Sequence, residues 1–241
     1  MILACNQPYF IPYIGYWQLI NCADIFVIGD DYAYINRGWV NRNRILNQNE
    51  PMYYGLSLVK ASQNKYINEI SLADMNFDKM LKTINYNYNK SPYFQEGYDL
   101  LKRIFDCKET NLAYFLGNSM EVVCDYLNIK TRLCYSSSFP ENNNLKREYR
   151  IYDFCEKTGA DTYINSIGGT ALYDFDEFRK RNLTLKFIKS NEISYKQFNN
   201  EFVPWLSILD VIMFNSKEEI SRMLNEYKLI DNKNDIPVVH E

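Results

Sequence analysis

The first 31 residues constrain the fold more than any other segment. Met1 to Cys5 is a short apolar run and reads as a buried strand. Gln7, Pro8 and Pro12 end it, because proline donates no ladder hydrogen bond. Helical spacing follows in Ile14, Trp17, Leu19 and Ile20. Asp24 then leads into Ile25-Phe26-Val27-Ile28, a second buried run closed by Gly29-Asp30-Asp31. Two buried strands joined through a loop and a helix make a β–loop–α–β unit. Such a unit favours a parallel sheet with a right-handed crossover.

The rest of the chain extends that pattern. Residues 52–59 read as a third strand, 60–66 as a polar loop and 67–72 as a short strand. From about 76 to 128 the periodicity is helical, clearest in Leu112, Phe115, Leu116, Met120, Val123 and Leu127. Thr131–Tyr135 reads as a strand ending in Ser136-Ser137-Ser138. Residues 145–157 read as a helix capped by Gly159. Asp161–Asn165 is a strand ending in Ser166-Ile167-Gly168-Gly169. Phe175–Arg181 is a short helix and Leu183–Ile188 a strand. Residues 202–214 and 217–227 read as helices, and the tail from Asp231 as loose. The expected fold class is α/β: an open, mostly parallel, Rossmann-like sheet flanked by helices. Residues 1–241 form one domain, with 76–128 as a helical insertion or lid.

Composition narrows the function. A chain of 241 residues with 46% apolar and 24% charged residues has an ordinary globular balance. Its 21 Tyr and 14 Phe, beside many Asn and Lys, are the mark of AT-rich codons and carry no functional weight. A net charge of −3 makes a poor general binder of nucleic acid, so none is expected as a partner. Six cysteines without a C-x-x-C pair argue against zinc, and no metal site is expected. No signal peptide or membrane span is evident, and the expected location is the cytoplasm.

Ligands of open parallel sheets bind outside the carboxyl ends of the strands. Four such ends here are polar or glycine-rich: Asn6-Gln7-Pro8-Tyr9, Gly29-Asp30-Asp31, Ser136-Ser137-Ser138 and Ser166-Ile167-Gly168-Gly169. A proline loop carrying Gln7, Pro8, Tyr9 and Tyr13 can orient a polar ligand, or simply cap the core. Asp30-Asp31 can hold a cation, act as a base, bind sugar hydroxyls, or be a solvated turn. Strand alternation points one acid to the cleft, and Asp30 is the one favoured. Arg37, Arg42 and Arg44 around Trp39, with Asn41, suit phosphate or carboxylate, the alternative being a surface loop. If the segment is extended, Asn41 and Asn43 face away from Arg42 and Arg44. Ser137, Ser138, Gly168 and Gly169 offer hydroxyls and backbone N–H groups for an anion or oxyanion. Ser207 and Asp210, polar within an apolar helix, call for internal partners.

His240 is the single histidine and lies one residue from the end, which excludes Ser-His-Asp or Cys-His catalysis. Neither a G-x-x-x-x-G-K-[ST] loop nor a G-x-G-x-x-G motif occurs. A general base must then be Asp, Glu, Tyr, Lys or a substrate group. Asp30, Asp31 and Tyr16 are the expected catalytic residues, and no cofactor is expected.

Gln7-Pro8-Tyr9-Phe10-Ile11-Pro12-Tyr13-Ile14-Gly15-Tyr16, followed by Ala23-Asp24, Asp30-Asp31 and Arg37-Gly38-Trp39 with Asn41-Arg42, resembles the WbqC-like family. The resemblance continues through Tyr88, Pro92-Tyr93-Phe94, Ser137-Ser138, Gly159-Ala160, Gly168-Gly169 and Phe202-Pro204-Leu206-Ser207-Asp210. It implies surface-polysaccharide or O-antigen biosynthesis. The implied reaction places an aminoacyl group such as glycyl, or another acyl group, on the amine of a nucleotide-linked amino-dideoxy sugar. Its partners are then that sugar nucleotide and an acyl or aminoacyl donor. In this reading Arg42 or Arg44 binds the pyrophosphate, Trp39 or Tyr9 stacks on base or sugar, Asp30 takes the amine proton, and Gly168-Gly169 stabilise the oxyanion. The alternatives are a metal-dependent sugar-nucleotide glycosyltransferase, an adenylate-type ligase suggested by Tyr13-Ile14-Gly15-Tyr16 at the head of the first helix, and a non-catalytic sugar-nucleotide binder.

Overall fold

A computed structural model describes residues 1–199 and 201–236. The strands are β1 (Ile2–Asn6), β2 (Ile25–Ile28), β3 (Arg42–Asn47), β4 (Glu50–Gly55), β5 (Leu58–Val59), β6 (Ser71–Leu72), β7 (Arg132–Tyr135), β8 (Thr162–Ser166), β9 (Thr184–Ser190) and β10 (Tyr227–Ile230). The helices are α1 (Ile14–Asn21), α2 (Asp78–Tyr88), α3 (Phe94–Phe105), α4 (Leu112–Leu127), α5 (Glu148–Thr158), α6 (Phe175–Arg179), α7 (Ile208–Phe214) and α8 (Lys217–Met223).

Six strands form the main sheet in the order β10-β9-β8-β1-β2-β7. Neighbours from β7 through β9 pair in parallel, and β10 runs antiparallel to β9. Numbered by their place in the chain, the six run 3-2-1-4-5-6, a doubly wound order whose direction reverses between β1 and β8. The expected α/β sheet is present.

Period-two alternation explains why both faces are covered. Leu3, Cys5, Ile25 and Val27 pack with Ile151, Phe154 and Phe178 from α5 and α6. Ala4, Phe26 and Ile28 point the other way, into a cluster with Trp17, Leu116, Met120 and Ile212. The mid-chain helices thus share one apolar cluster with β1 and β2. Sequence places their ends clearly. Asn111 caps α4 by accepting from the Ala113 N–H at 3.0 Å, and Asn128 ends it in the left-handed region at φ 57°. Gly159 ends α5 at φ 74°, as its position suggests.

Five expectations need correction. Of the strand expected at 67–72 only Ser71–Leu72 is extended, because Ile67–Glu69 turns as a 3₁₀ helix. The arginine segment is not a loop throughout: Arg42 to Asn47 is β3, paired antiparallel with β4 in a two-stranded sheet outside the main one. The expected strand at 52–59 is interrupted at Leu56 and Ser57. Only Ile208–Phe214 of the 202–214 run is helical, because Pro204 and Trp205, at φ 62°, break it. The expected helix at 217–227 ends at Met223, and Tyr227 instead opens edge strand β10. In the tail, Lys233–Asp235 is a 3₁₀ turn. His240 lies outside the described residues, as does the tail from 237. Among the described residues no helix is long and apolar enough to cross a membrane.

Candidate functional site

The carboxyl ends of β7, β2, β1, β8 and β9 share one edge, so the polar turns expected there do gather. Their local chemistry differs. Asp30 and Asp31 lie in a turn rather than in extended backbone, so alternation does not apply, and both carboxylates turn inward. Asp30 is fully buried. Its oxygens accept from Ser136 Oγ at 2.9 Å, the Ser137 N–H at 2.9 Å, Ser137 Oγ at 2.6 Å and Asn68 Nδ2 at 3.1 Å. Asp31 accepts from Arg150 Nη2 through both oxygens, at 2.7 and 2.8 Å, and also meets Ser136 Oγ. Arg150 is held in turn by Asn142, whose Oδ1 accepts from Nε at 2.7 Å, and its guanidinium lies 4.6 Å from the Tyr32 ring centroid. A carboxylate that satisfies four donors in a sealed site binds β2 to β7.

Tyr16 is likewise interior, at 3% exposure. Its hydroxyl donates to the Gln7 carbonyl at 2.7 Å, and burial pushes its phenol well above the usual range. It braces the proline loop. The same loop is fixed from several directions. Asn43 Nδ2 donates to the Phe10 and Ile11 carbonyls, Ser207 Oγ to the Ile11 carbonyl at 2.6 Å, and the Ile208 N–H to the Pro12 carbonyl at 2.8 Å. Ile11, a β-branched residue, sits at φ 42°, a costly conformation that these bonds enforce. Gln7 Nε2 donates to the Ala33 carbonyl at 2.9 Å. The Tyr9 ring lies 5.3 Å from that of Tyr16.

On the β3–β4 hairpin the two residue sets separate as alternation requires. Asn41 and Asn43 are consumed internally: Asn41 accepts from Tyr34 and donates to the Leu56 carbonyl. Arg42 and Arg44 share the other face with Trp39 and Tyr53. The guanidinium of Arg42 lies 4.5 Å from the Tyr53 ring centroid, and that of Arg44 lies 5.5 Å from the Trp39 ring centroid. The two rings stack 6.1 Å apart. Arg37 is exposed at φ 58°. Ser138 is exposed and donates to the Tyr135 carbonyl. Gly168 is exposed at the end of β8, with open space where a Cβ would stand. Gly169 is buried against Asn165, which a Cβ would meet at 2.8 Å.

A cavity of about 480 Å³ opens where the head of α1 meets the end of β9. Tyr13, Gly15, Ser190, Tyr195 and Trp205 line it. Tyr13 caps α1 with no side-chain bond to the helix N–H groups. Gly15 is required by close approach, since a Cβ would meet the Tyr13 ring at 2.4 Å and Ser190 Oγ at 2.7 Å. Trp205 is 63% exposed, its ring 5.8 Å from that of Tyr13, and its carbonyl accepts from Arg44 at 3.1 Å. Ser190, Trp205, Arg150 and Asn68 lie outside the residues expected from sequence. Trp205 alone carried a signal, an aromatic after a proline. Among the described residues no three His, Cys, Asp or Glu side chains gather as a metal-holding group.

The sequence pattern of the WbqC-like protein family matches residues 7–222, from the proline loop to α8. The chain belongs to the WbqC-like family. A relative of this WbqC-like protein, the uncharacterized protein Rv1507c of Mycobacterium tuberculosis, is 31% identical over 219 residues, covering 88% of this chain and 93% of that one. No solved structure matches it. The matched span of this WbqC-like chain takes in both the buried aspartate centre and the cavity at the head of α1.

Proposed function

We propose that this protein binds a nucleotide-linked amino sugar and transfers an acyl or aminoacyl group to its amine, in surface-polysaccharide biosynthesis. The cavity at the head of α1 carries the reading. It lies on the edge where doubly wound sheets bind nucleotides, at the N-terminus of the helix that follows the first strand. Uncapped N–H groups of α1, with the Arg44 guanidinium nearby, suit a pyrophosphate. The exposed Trp205 ring and the half-buried Tyr13 ring suit a base or sugar face. The sugar amine, unprotonated, attacks the donor carbonyl. The N–C bond forms, the bond to the donor's leaving group breaks, and the amine proton leaves with that group. This chemistry draws on proximity more than on a strong base. It matches a centre in which Asp30, Asp31 and Tyr16 hold the strand ends in place.

The test is mass spectrometry of dTDP-linked amino sugars incubated with the purified protein and acyl thioesters, or with amino acids and ATP. An acyl mass increment on the sugar supports the reading. No increment with any donor, together with no binding of the sugar nucleotide, overturns it. Binding without turnover selects the second reading, a non-catalytic sugar-nucleotide binder. The full engagement of Asp30 and Asp31 favours that reading specifically.

A further inference from the structure

A second cavity, of about 450 Å³, lies between β4 and α2 and is lined by Tyr53, Tyr54, Asn76, Phe77, Lys79 and Thr83. Asp74 is the one acid in its lining, and it is occupied in accepting from the Asn76 N–H at 2.8 Å. Tyr53 belongs to this cavity and to the hairpin face at once. A continuous track therefore joins the two cavities. Tyr13 meets Trp205 at 5.8 Å, the Trp205 carbonyl holds Arg44, Arg44 covers Trp39, Trp39 stacks on Tyr53, and Arg42 covers Tyr53.

The hairpin part of the track is cationic, while in the cavity Asp74 stands in the same lining as Lys79. Among the described residues Arg37, Arg42, Arg44 and Lys79 have no carboxylate within 4.0 Å, as holds also for Arg132, Arg147 and Arg222, whereas Arg103, Arg150, Arg179 and Arg181 do. The guanidiniums are pinned instead by carbonyls: Arg42 donates to Gly38 and Arg37, Arg44 to Trp205. Each keeps further N–H groups, and the Arg44 Nε–H, shielded from water, has no acceptor at all. Trp39 and Tyr53 are 38% and 53% exposed, so ring surface and positive charge face solvent together. Guanidiniums fixed beside partly exposed aromatic rings suit a planar base joined to phosphates.

We infer that the β4–α2 cavity and the hairpin track form a second site, for a phosphate-bearing nucleotide distinct from the one at the head of α1. If the proposed transfer is correct, this site holds the nucleotide portion of the acyl donor. Track and first cavity meet at Arg44 and Trp205, so donor and sugar would approach each other there.

The probe is ADP, which carries base and phosphates but no acyl group, titrated calorimetrically with and without a saturating dTDP-linked amino sugar. ADP is expected to bind in both cases, more weakly as salt rises. Arg42→Gln, Tyr53→Thr and Lys79→Gln each weaken ADP at least tenfold and leave the sugar nucleotide unchanged. Trp205→Ala does the reverse. Thermal unfolding confirms that the variants remain folded. Competition between the two ligands for one site, or ADP binding indifferent to all three hairpin and α2 variants, overturns the inference. So does absence of ADP binding at millimolar concentration. Track-dependent ADP binding with no sugar-nucleotide binding at all removes the proposed function and leaves the second site standing.

Discussion

Replacing Arg150 with Met tests whether the buried pair with Asp31 joins the strand ends to α5. Met keeps an unbranched apolar side chain and deletes the guanidinium, including its approach to the Phe154 ring. Arg150 and Asp31 are only 12% and 9% exposed, so water does not replace the lost partner. Two contacts to Asp31, at 2.7 and 2.8 Å, and one to the buried Asn142 disappear together. Removing one member of a buried pair costs about 3–5 kcal/mol. Asp31 retains its contact with Ser136, which places the expected loss near the lower end, roughly 3 kcal/mol. With a urea m-value of about 3 kcal/mol/M, the unfolding midpoint should fall by about 1 M. Asp31→Asn in the same background removes the stranded charge. The double variant should therefore be more stable than the sum of single losses predicts, by at least about 1.5 kcal/mol. A single-variant loss under about 1 kcal/mol, or simple additivity, would refute the argument.

Asp210 gives a pH test. It accepts from Tyr88, Tyr195 and Gln197, yet burial pushes its carboxyl up from 3.8 to about 6. An acid whose folded value exceeds its unfolded one stabilises the fold fully below about pH 4. That contribution is lost as pH rises towards 6. The urea-derived stability of the parent minus that of Asp210→Asn should thus fall by about 2–3 kcal/mol across this window and then level off. A flat difference would show that Asp210 titrates normally. Gly117→Ala should lower stability by about 1–2 kcal/mol despite alanine's better helix propensity, because its Cβ would lie 2.0 Å from the Tyr135 hydroxyl. Tyr135→Phe in that background should restore part of the loss in thermal denaturation, and no recovery would contradict the clash. Ser137→Ala, which removes the 2.6 Å bond to Asp30, should cost about 1–2 kcal/mol of stability measured in urea. A loss of activity with unchanged stability would instead return Asp30 to catalysis.

Buried parallel strands are legible in sequence because apolar runs such as Ile25 to Ile28 mark them. The edge strand β10 is not, since Lys228 and Leu229 are exposed and only Ile230 of its four residues is buried. It carries no run to distinguish it from the end of a helix. Residues 203–206 mislead in the opposite sense: they are apolar, but they cover the proline loop and cavity as irregular chain. At the strand ends, residue type was visible and role was not. Asp30 finds its donors at Ser136 and Ser137, 106 and 107 residues further on, and Asp31 finds Arg150 a further turn of structure away. Nothing local in a polar helix marks Arg150 as the partner of Asp31. Alternation did separate Asn43 from Arg42 and Arg44, because β3 is extended from Arg42 on, and Asn41 just before it is also turned inward.

The bonds that hold the proline loop also set an order of assembly during synthesis. The loop is made well before its partners: Ile11 accepts from Ser207, 196 residues later in the chain, and Pro12 accepts from Ile208. Trp205 arrives with them. A nascent chain shorter than about 210 residues can pair β1 with β2 and β8, yet it lacks one wall of the cavity at the head of α1. A fragment truncated before Trp205 therefore keeps the sheet pairings of β1 but leaves the cavity at the head of α1 open on the side that Trp205 and Leu206 close.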